Sequence, residues 1–367
     1  MIRFNGLYEH EKGEGFYPAW RPLEVQLGYG LIPLVQEEKR APLLQEIGYC
    51  RENIFTDFGF YIPPIHIRDN MCLEPYEYAL MFNDVKMGEL KKIQPEQILC
   101  IKTNNNLEKI SGIYIKEPVS GIEVVITDES NGSKAEQLGY KVCSVSNFIR
   151  VQLTEIIRKN IHKFLNQHMV NEIINRLRPQ NPDVVDNVMF THHFSVSNLK
   201  IILNWLLEEG VPIRDINTIM ETISDYIDEN DKPVFIMEKI RERLAYDFIP
   251  KYADEDKVVN TILVSESVGE LLYQNLDIPN SGIELPDLLL EKNINRKLIQ
   301  SIKECLKTVS EKNTQEIFLC PSCIRTGFSE FLKRTVGSYP CISERECLEM
   351  NREYTFKKIG ELVINEK

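Results

Sequence analysis

The chain has 367 residues, of which 43% are hydrophobic and 27% are charged, and its formal net charge is −12 at pH 7. This composition is typical of a soluble globular protein rather than a disordered one, and the length predicts roughly two to four structural units. The acidic balance argues against a nucleic-acid partner, because binding to a phosphate backbone requires a basic protein surface.

The sequence shows neither a membrane span nor a secretion signal. No apolar run approaches the roughly 20 residues that a membrane helix needs. The opening stretch MIRFNGLYEHEKGEG lacks the apolar core of a signal peptide. The nine cysteines are scattered and odd in number, which favours reduced thiols in a cytosolic protein over a disulfide framework.

The first part of the chain combines an arm with strands and a helix. Residues 1–22 contain charges, glycines and an aromatic cluster with Phe16 and Trp20, which predicts an exposed linker arm that can dock on another surface. The following LEVQLGYGLIPLV predicts a strand, a glycine turn and a second apolar segment. LLQEIGYCRENIFTDFGF has its apolar residues at helical spacing, and IPPIHIRD and YEYALMFNDVKMG predict further strands.

The middle of the chain changes from β-rich to helical. Residues 97–144 contain three short runs that predict strands, QILCIKT, SGIYIKE and IEVVITD, followed by a helical SKAEQLG. Between residues 146 and 177 the apolar positions recur with the period of a helix. We therefore expect a small β-rich insert that is followed by a helical stretch.

Residues 179–248 predict three short helices with tight turns. Ser195 or Ser197 can cap the first helix. The middle helix is predicted over 212–227, because a proline suits the first turn of a helix, and the third helix follows Pro233. Together these helices predict a compact helix-turn-helix-like unit.

Residues 249–367 alternate between strand and helix patterns. VVNTILV, EIFLC and a short run near Cys341 predict strands, and VGELLYQNL and TGFSEFLKRTV predict helices. A longer helix is predicted from Pro286 to about Lys307. This alternation predicts a small α/β layer.

Two Ile-Arg-Asp sequences raise the question of paired catalytic charges. In the predicted helix, Arg214 and Asp215 point about 100° apart and cannot hold one substrate as a pair. Asp215 then stabilises the helix start, and Arg214 is free to bridge to another segment or another subunit. In the predicted strand, Arg68 and Asp69 point to opposite faces. Both pairs therefore indicate architecture rather than chemistry.

The CPSC sequence, Cys320 to Cys323, is the strongest candidate for chemistry. Its spacing suits half a zinc site or a redox dithiol, and a thiol- or metal-dependent enzyme is one hypothesis for the chain. However, a structural zinc site needs four ligands, and the other cysteines form no second C-x-x-C. We favour buried structural thiols, and we assign no catalytic residue, no metal ligand and no cofactor.

Four motifs together give a family resemblance. LGYGLIPLV (27–35), PPIHIRDN (63–70), LTEIIRK (153–159) and VPIRDINTIMET (211–222), in this order and spacing, resemble the cytosolic domain of the FlhA/SctV export-gate family of type III secretion systems. The resemblance covers the chain from about Leu23 to its end. The residues of the first two motifs resemble the flagellar branch more than the injectisome branch, which stays the alternative.

The resemblance implies an α+β fold in which a linker is followed by four subdomains. The first is mixed α/β, the second is the β-rich insert, the third is helical, helix-turn-helix-like and ring-building, and the fourth is an α/β layer. The implied bounds are 1–22 for the linker, 23–96 with 145–164, 97–144, 165–248 and 249–367.

The resemblance also implies the surroundings of the chain. It implies a homo-oligomeric ring of nine copies at the cytoplasmic face of the bacterial inner membrane. There the ring receives export chaperone–substrate complexes and meets the ATPase complex and other gate proteins. The linker, through Phe16 or Trp20, is expected to pack on a neighbouring copy. The family's membrane half is missing from this chain, and it would supply the only membrane contact.

In that family, chaperones bind a dimple between the first two subdomains. By resemblance, Glu117 takes the place of an Asp and Ser120 that of a Phe, while Val151 and Gln152 take those of a Thr-His pair. Pro118 and Gly121 keep the frame of the segment, but the aromatic residue is lost. Either the pocket is repacked around Val151 and Phe148, or this chain binds a different partner. Both readings stay open.

Overall fold

Strands and helices are mixed throughout the computed structural model, which describes residues 21–102, 108–310 and 316–364. The chain divides into two compact units, with the boundary between Phe164 and Leu165. The predicted mixture of helices and strands is therefore confirmed, whereas the division into four subdomains stays a prediction. No helix among the described residues is long and apolar enough to cross a membrane.

The first unit begins with a four-stranded sheet in the order β2-β1-β3-β4, in which β1 and β2 are parallel and the other pairs are antiparallel. Asn83 and Asp84 both have positive φ and form the turn of the β3–β4 hairpin. Helix α1 packs on α3, a later helix of the same unit that spans Val145–Lys159. The bounds are β1 (Leu23–Leu27), α1 (Pro42–Phe58), β2 (His66–Asp69), β3 (Tyr78–Phe82) and β4 (Val85–Leu90).

The glycine turn after β1 allows a close approach of two backbones. A Cβ on Gly28 would lie 2.0 Å from the carbonyl oxygen of Glu74, and one on Gly30 would lie 2.7 Å from the Tyr76 ring. The Gly28 and Gly30 N–H groups donate to the carbonyls of Glu77 and Pro75. The predicted apolar segment then follows as a 3₁₀ helix, Tyr29–Val35.

A second sheet of the first unit contains the strands that were predicted between residues 97 and 144. Its order is β6-β7-β5-β8, and every pair is antiparallel. Ser144 ends the last strand and caps the next helix, because its side chain accepts a hydrogen bond from the N–H of Asn147. The bounds are β5 (Gln97–Ile101), β6 (Ile113–Lys116), β7 (Glu123–Asp128), α2 (Gly132–Gln137), β8 (Lys141–Ser144) and α3 (Val145–Lys159).

The second unit begins with helices. The helical pattern predicted over residues 146–177 is divided between two helices, α3 and α4. Helix α3 ends at Lys159, and Asn166 caps α4 by accepting a hydrogen bond from the N–H of Met169. Asparagine side chains compete with helical backbone bonds, which explains the break at this point. The bounds are α4 (Gln167–Leu177), α5 (Pro182–Asp186), α6 (Val196–Glu208), α7 (Ile216–Tyr226), α8 (Pro233–Arg243) and α9 (Ala245–Phe248).

The predicted helix over 212–227 is wrong at its start. Helix α7 begins at Ile216, and Asp215 is its N-cap rather than a first-turn residue. The Asp215 carboxylate accepts hydrogen bonds from the N–H and the hydroxyl of Thr218, at 3.0 and 2.7 Å. An aspartate at this position satisfies free N–H groups of the first turn, so the helix starts after Asp215 rather than at Pro212.

The second unit ends with a parallel sheet in the order β13-β12-β9-β14. The predicted strands and shorter helices are confirmed, but the helix predicted from Pro286 begins at Lys292 because Asp287–Leu288 pairs with Leu276–Asp277 instead. The bounds are β9 (Val258–Val264), α10 (Glu266–Gln274), β10 (Leu276–Asp277), β11 (Asp287–Leu288), α11 (Lys292–Ser310), β12 (Phe318–Cys320), α12 (Arg325–Thr335), β13 (Cys341–Ser343), α13 (Glu344–Met350) and β14 (Thr355–Leu362).

A buried ionic network joins the helices of the second unit to its sheet layer. The Arg325 guanidinium, fully buried, contacts Glu209 at 3.0 Å and also pairs with Glu238. Arg241 contacts Glu209 and Glu346, each at 2.7 Å. Burial alone would raise the pKa of Glu209, but the two guanidinium groups hold it at about 2. Each of the three carboxylates therefore has a guanidinium partner.

Replacing Arg325 by Met should destabilise the second unit strongly. The substitution leaves the Glu238 carboxylate without its guanidinium partner and leaves the buried Glu209 with Arg241 alone. Breaking a buried ion pair costs about 3–5 kcal/mol in the free energy of unfolding. Urea denaturation measures this loss. The matched control on the same helix is Arg334→Met, because Arg334 forms an exposed ion pair with Asp287 worth less than about 1 kcal/mol. Equal losses in both variants would contradict the prediction.

Candidate functional site

The candidate site is the turn that connects β6 and β7. Its ends are joined by two backbone hydrogen bonds of 2.8 Å, from the N–H of Glu117 to the carbonyl of Ile122 and from the N–H of Gly121 to the carbonyl of Glu117. Gly121 has a φ of +75°, a conformation that glycine adopts without steric cost. The sequence EPVSG therefore folds locally as a tight turn.

The Glu117 carboxylate faces into this turn rather than out to solvent. Glu117 is 3% exposed. One of its oxygens accepts from the N–H of Val119 at 2.8 Å, and the other accepts from the N–H and hydroxyl of Ser120 at 2.6 and 2.5 Å. The carboxylate thus holds the backbone of its own turn.

Gln152 of α3 supplies a fourth donor to the same carboxylate. Its side-chain amide nitrogen donates to Glu117 Oε1 at 2.5 Å, and its amide oxygen accepts from the hydroxyl of Tyr78 at 2.6 Å. Gln152 is 2% exposed and Tyr78 is fully buried. A continuous chain of hydrogen bonds therefore runs from β3 through α3 to the turn.

Two further contacts hold the turn against the rest of the first unit. The Val119 side chain lies over β4, where a Cβ on Gly88 would be only 2.8 Å from it. The Lys159 ammonium group donates to the carbonyl of Val119 at 3.1 Å and also pairs with Glu155 at 3.2 Å. The turn is thereby fixed to β4 and to the end of α3.

The electrostatics of the site favour an ionised Glu117. Burial raises the pKa of this carboxyl, but the hydrogen bonds from Ser120, Val119 and Gln152 outweigh that effect and leave the pKa below its ordinary value. The opposite holds for Tyr78. Burial and the nearby Glu117 charge raise the pKa of its hydroxyl well above the usual range. Tyr78 therefore stays a hydrogen-bond donor at neutral pH.

The predicted dimple residues fall into a buried and an exposed set. Glu117, Phe148 and Gln152 are buried, whereas Pro118, Ser120, Gly121 and Val151 are exposed. Phe148 is 2% exposed and Val151 is 36% exposed. A pocket repacked around these two residues and a different partner both stay predictions.

Sequence reasoning missed Tyr78 as a member of this arrangement. The residue lies 74 positions from Gln152, inside a strand pattern that any buried apolar strand would show. One signal was available in the sequence, namely a tyrosine among the apolar residues of a buried strand. A buried tyrosine hydroxyl needs a hydrogen-bond partner, and this could have indicated a polar contact at Tyr78.

The predicted oligomer residues are placed as follows. The Arg214 guanidinium bridges to Asp247 of the same chain, with its Nε 2.8 and 3.0 Å from the two carboxylate oxygens. Asp215 caps α7 and accepts a hydrogen bond from the hydroxyl of Tyr246. Phe16 and Trp20 lie outside the described residues.

The cysteine pair of the CPSC sequence is not arranged as a redox dithiol. Cys320 is buried, and its Sγ lies 3.4 Å from Sγ of Cys341 on the neighbouring strand, while Cys323 is exposed. Burial raises the pKa of the Cys320 thiol well above its usual value, although a reactive cysteine needs a lowered pKa. In the described parts of the chain, no group of three or more His, Cys, Asp or Glu side chains is placed to hold a metal.

Comparison with known proteins gives concordant matches. The model of the FHIPEP family matches residues 9–352. The flagellar biosynthesis protein FlhA of Treponema pallidum is 31% identical over 329 residues, which are 88% of this chain and 46% of that protein. The chain thus spans about half the length of this relative.

Solved structures share the fold of the chain. The Chlamydia pneumoniae CdsV protein superposes with a TM-score of 0.82 at 21% identity, covering 96% of this chain and all of that one. The nonameric SctV-C of EPEC gives a TM-score of 0.75 at 18% identity, covering 95% of this chain and all of that one. At these identities, the likeness describes the architecture alone.

Replacing Glu117 by Gln should destabilise the first unit at neutral pH. An amide brings donors to positions where four donors already converge, and the resulting unmatched hydrogen bonds cost about 1–3 kcal/mol in the free energy of unfolding. Denaturation at pH 7 measures the loss. Glu123→Gln is the matched control, because Glu123 pairs with Lys102 at an exposed position, and its stability should change little.

The stability difference between the wild type and Glu117→Gln should depend on pH. Because the pKa of Glu117 is lower in the folded than in the unfolded chain, its carboxylate stabilises the fold fully above the unfolded pKa of about 4.3. That contribution is lost as the pH falls through the folded pKa. The stability difference between the wild type and Glu117→Gln should therefore shrink below about pH 4; a constant difference from pH 7 to pH 3 would contradict this.

Proposed function

The chain belongs to the FHIPEP family, and on that premise we propose that it is the cytosolic docking platform of a type III protein export gate of the flagellar type. The single observation that carries the proposal is the family match over residues 9–352. The 31% identity to a flagellar FlhA supports the flagellar branch. The fold shared with CdsV and SctV-C keeps an injectisome-type gate as the second candidate.

We place the docking surface on the exposed side of the Glu117–Gly121 turn. Pro118, Ser120 and Gly121 are exposed on this side. We include Val151, an exposed residue of α3, because it precedes Gln152, which contacts the turn. The surface carries no free carboxylate from Glu117, because that group is buried. We propose that export chaperone–substrate complexes bind here through apolar and backbone contacts.

We further propose that the chain assembles into a homo-oligomeric ring at the cytoplasmic face of the bacterial inner membrane. The nonameric state of EPEC SctV-C supports a ring of nine copies. The ATPase complex and other gate proteins are its further partners in this proposal. The four predicted subdomains, with the third building the ring, complete the assignment.

An enzyme that uses Cys320 or Cys323 is the less favoured alternative. The buried Cys320 thiol has a raised pKa and contacts Cys341, which opposes thiolate chemistry. Thiol titration together with elemental analysis tests the alternative: a low-pKa thiol at Cys320 or stoichiometric zinc would revive it.

Chaperone docking should depend on the exposed apolar side chain of Val151. Val151→Glu places a charge on the proposed surface without disturbing the core, and we expect the affinity for an export chaperone–substrate complex of the same bacterium to fall at least about tenfold. Calorimetric titration measures the affinity. Met71→Glu is the control, because Met71 is 83% exposed and lies outside the turn. Equal affinities of the wild type and Val151→Glu would remove the docking assignment.

Self-association should weaken when the charge of Arg214 is reversed. Arg214→Glu breaks the bridge to Asp247 and alters the segment before α7, which lies in the proposed ring-building subdomain. Native mass spectrometry at a series of protein concentrations measures the oligomer distribution. Arg334→Glu, which breaks another exposed bridge of the second unit, should leave that distribution unchanged. An Arg214→Glu chain with unaltered oligomers and unaltered stability would contradict the role.

A further inference from the structure

We infer that Tyr78 is a positioning residue of the docking turn and that it acts through Gln152. The part of this inference that concerns binding rests on the proposed function, whereas the part that concerns the turn stands on geometry alone. Tyr78 touches no exposed surface, since it is fully buried. Its effect on a partner must therefore pass through other groups.

Tyr78 is held rigidly in the first sheet. Tyr78 is the first residue of β3, where it pairs with Leu27 of β1 on one side and with Leu90 of β4 on the other. A residue held by strands on both sides has little freedom of its own, and its buried ring prevents a rotamer change. The Tyr78 hydroxyl is thus a fixed point of the first sheet.

The Gln152 amide is held from both sides, by the Glu117 carboxylate and by the Tyr78 hydroxyl. The ionised carboxylate can only accept, so the amide nitrogen must face Glu117 Oε1 at 2.5 Å. The amide oxygen then faces Tyr78, whose hydroxyl donates to it at 2.6 Å and holds it in place. In the reversed orientation, the amide oxygen would face the Glu117 carboxylate and repel it.

The Glu117 carboxylate passes the constraint on to the exposed turn. Its oxygens accept from the N–H groups of Val119 and Ser120, at 2.8 and 2.6 Å, so a shift of the carboxylate moves the backbone of the turn. Tyr78, Gln152 and Glu117 are each at most 3% exposed, which excludes competing water. The turn therefore takes its position from the first sheet, although its ends belong to the second.

Hydrogen exchange of the turn in Tyr78→Phe tests the inference. This change removes one hydroxyl and keeps the ring, so we expect the amides of Val119 and Ser120 to exchange at least about tenfold faster, while the amides of β5 and β7 keep their rates. The affinity for an export chaperone–substrate complex should fall at least about fivefold. The control is Tyr140→Phe, which removes another buried hydroxyl of the same unit, bonded to the carbonyl of Glu108 at 2.9 Å, and should change neither quantity.

A second variant is needed in case Tyr78→Phe destabilises the whole first unit. If Tyr78→Phe also accelerates exchange throughout β5 and β7, Gln152→Met carries the test, because it removes the donor to Glu117 at nearly constant side-chain size. Unchanged exchange at Val119 and Ser120 in the variant that stays folded overturns the inference. So does an equal effect of Tyr140→Phe. If the wild type binds no chaperone complex, the proposed function fails and the role of Tyr78 in binding falls with it, whereas the exchange rates still decide the positioning of the turn.

Discussion

A carboxylate that leaves water must find donors, and this requirement at Glu117 organises the site around it. Four hydrogen bonds replace its hydration, two of them from backbone N–H groups of its own turn. A tight turn needs a glycine at its end, and Gly121 supplies it. A buried amide donor needs a partner for its own oxygen, and Tyr78 supplies that partner. Each neighbour is thus a consequence of burying one charge.

The two units handle buried charge in different ways. In the second unit, Arg241 and Arg325 compensate the carboxylates directly, so ionic attraction opposes the loss of hydration. In the first unit, the four hydrogen bonds described for Glu117 come from neutral donors. Neutral donors are directional, so they fix the geometry of the turn more than they neutralise its charge. Such a site suits a surface whose shape must be reproducible.

Sequence patterns predicted most elements, because periodicity and capping are local properties. Helix α13 and strand β14 were missed for different reasons. Ser343 and Glu346 form a capping box, which is a local signal for a helix start, so α13 is predictable from the sequence. Strand β14 instead carries charged residues and owes its conformation to pairing with β9. The place of Glu117 came from family resemblance, but its burial and its link to Tyr78 depend on long-range packing that no local pattern encodes.

The distribution of thiols gives the chain built-in attachment points for spectroscopy. Of the nine cysteines, Cys72 in the first unit and Cys323 in the second are exposed, and Cys305 is partly covered. The other six are buried, and burial raises the pKa of Cys143, for example, to about 12, which slows alkylation. Brief maleimide treatment should therefore label Cys72 and Cys323 first, one in each unit of the unmodified sequence. Energy transfer between the two dyes can then follow the distance between the units while an export complex is added.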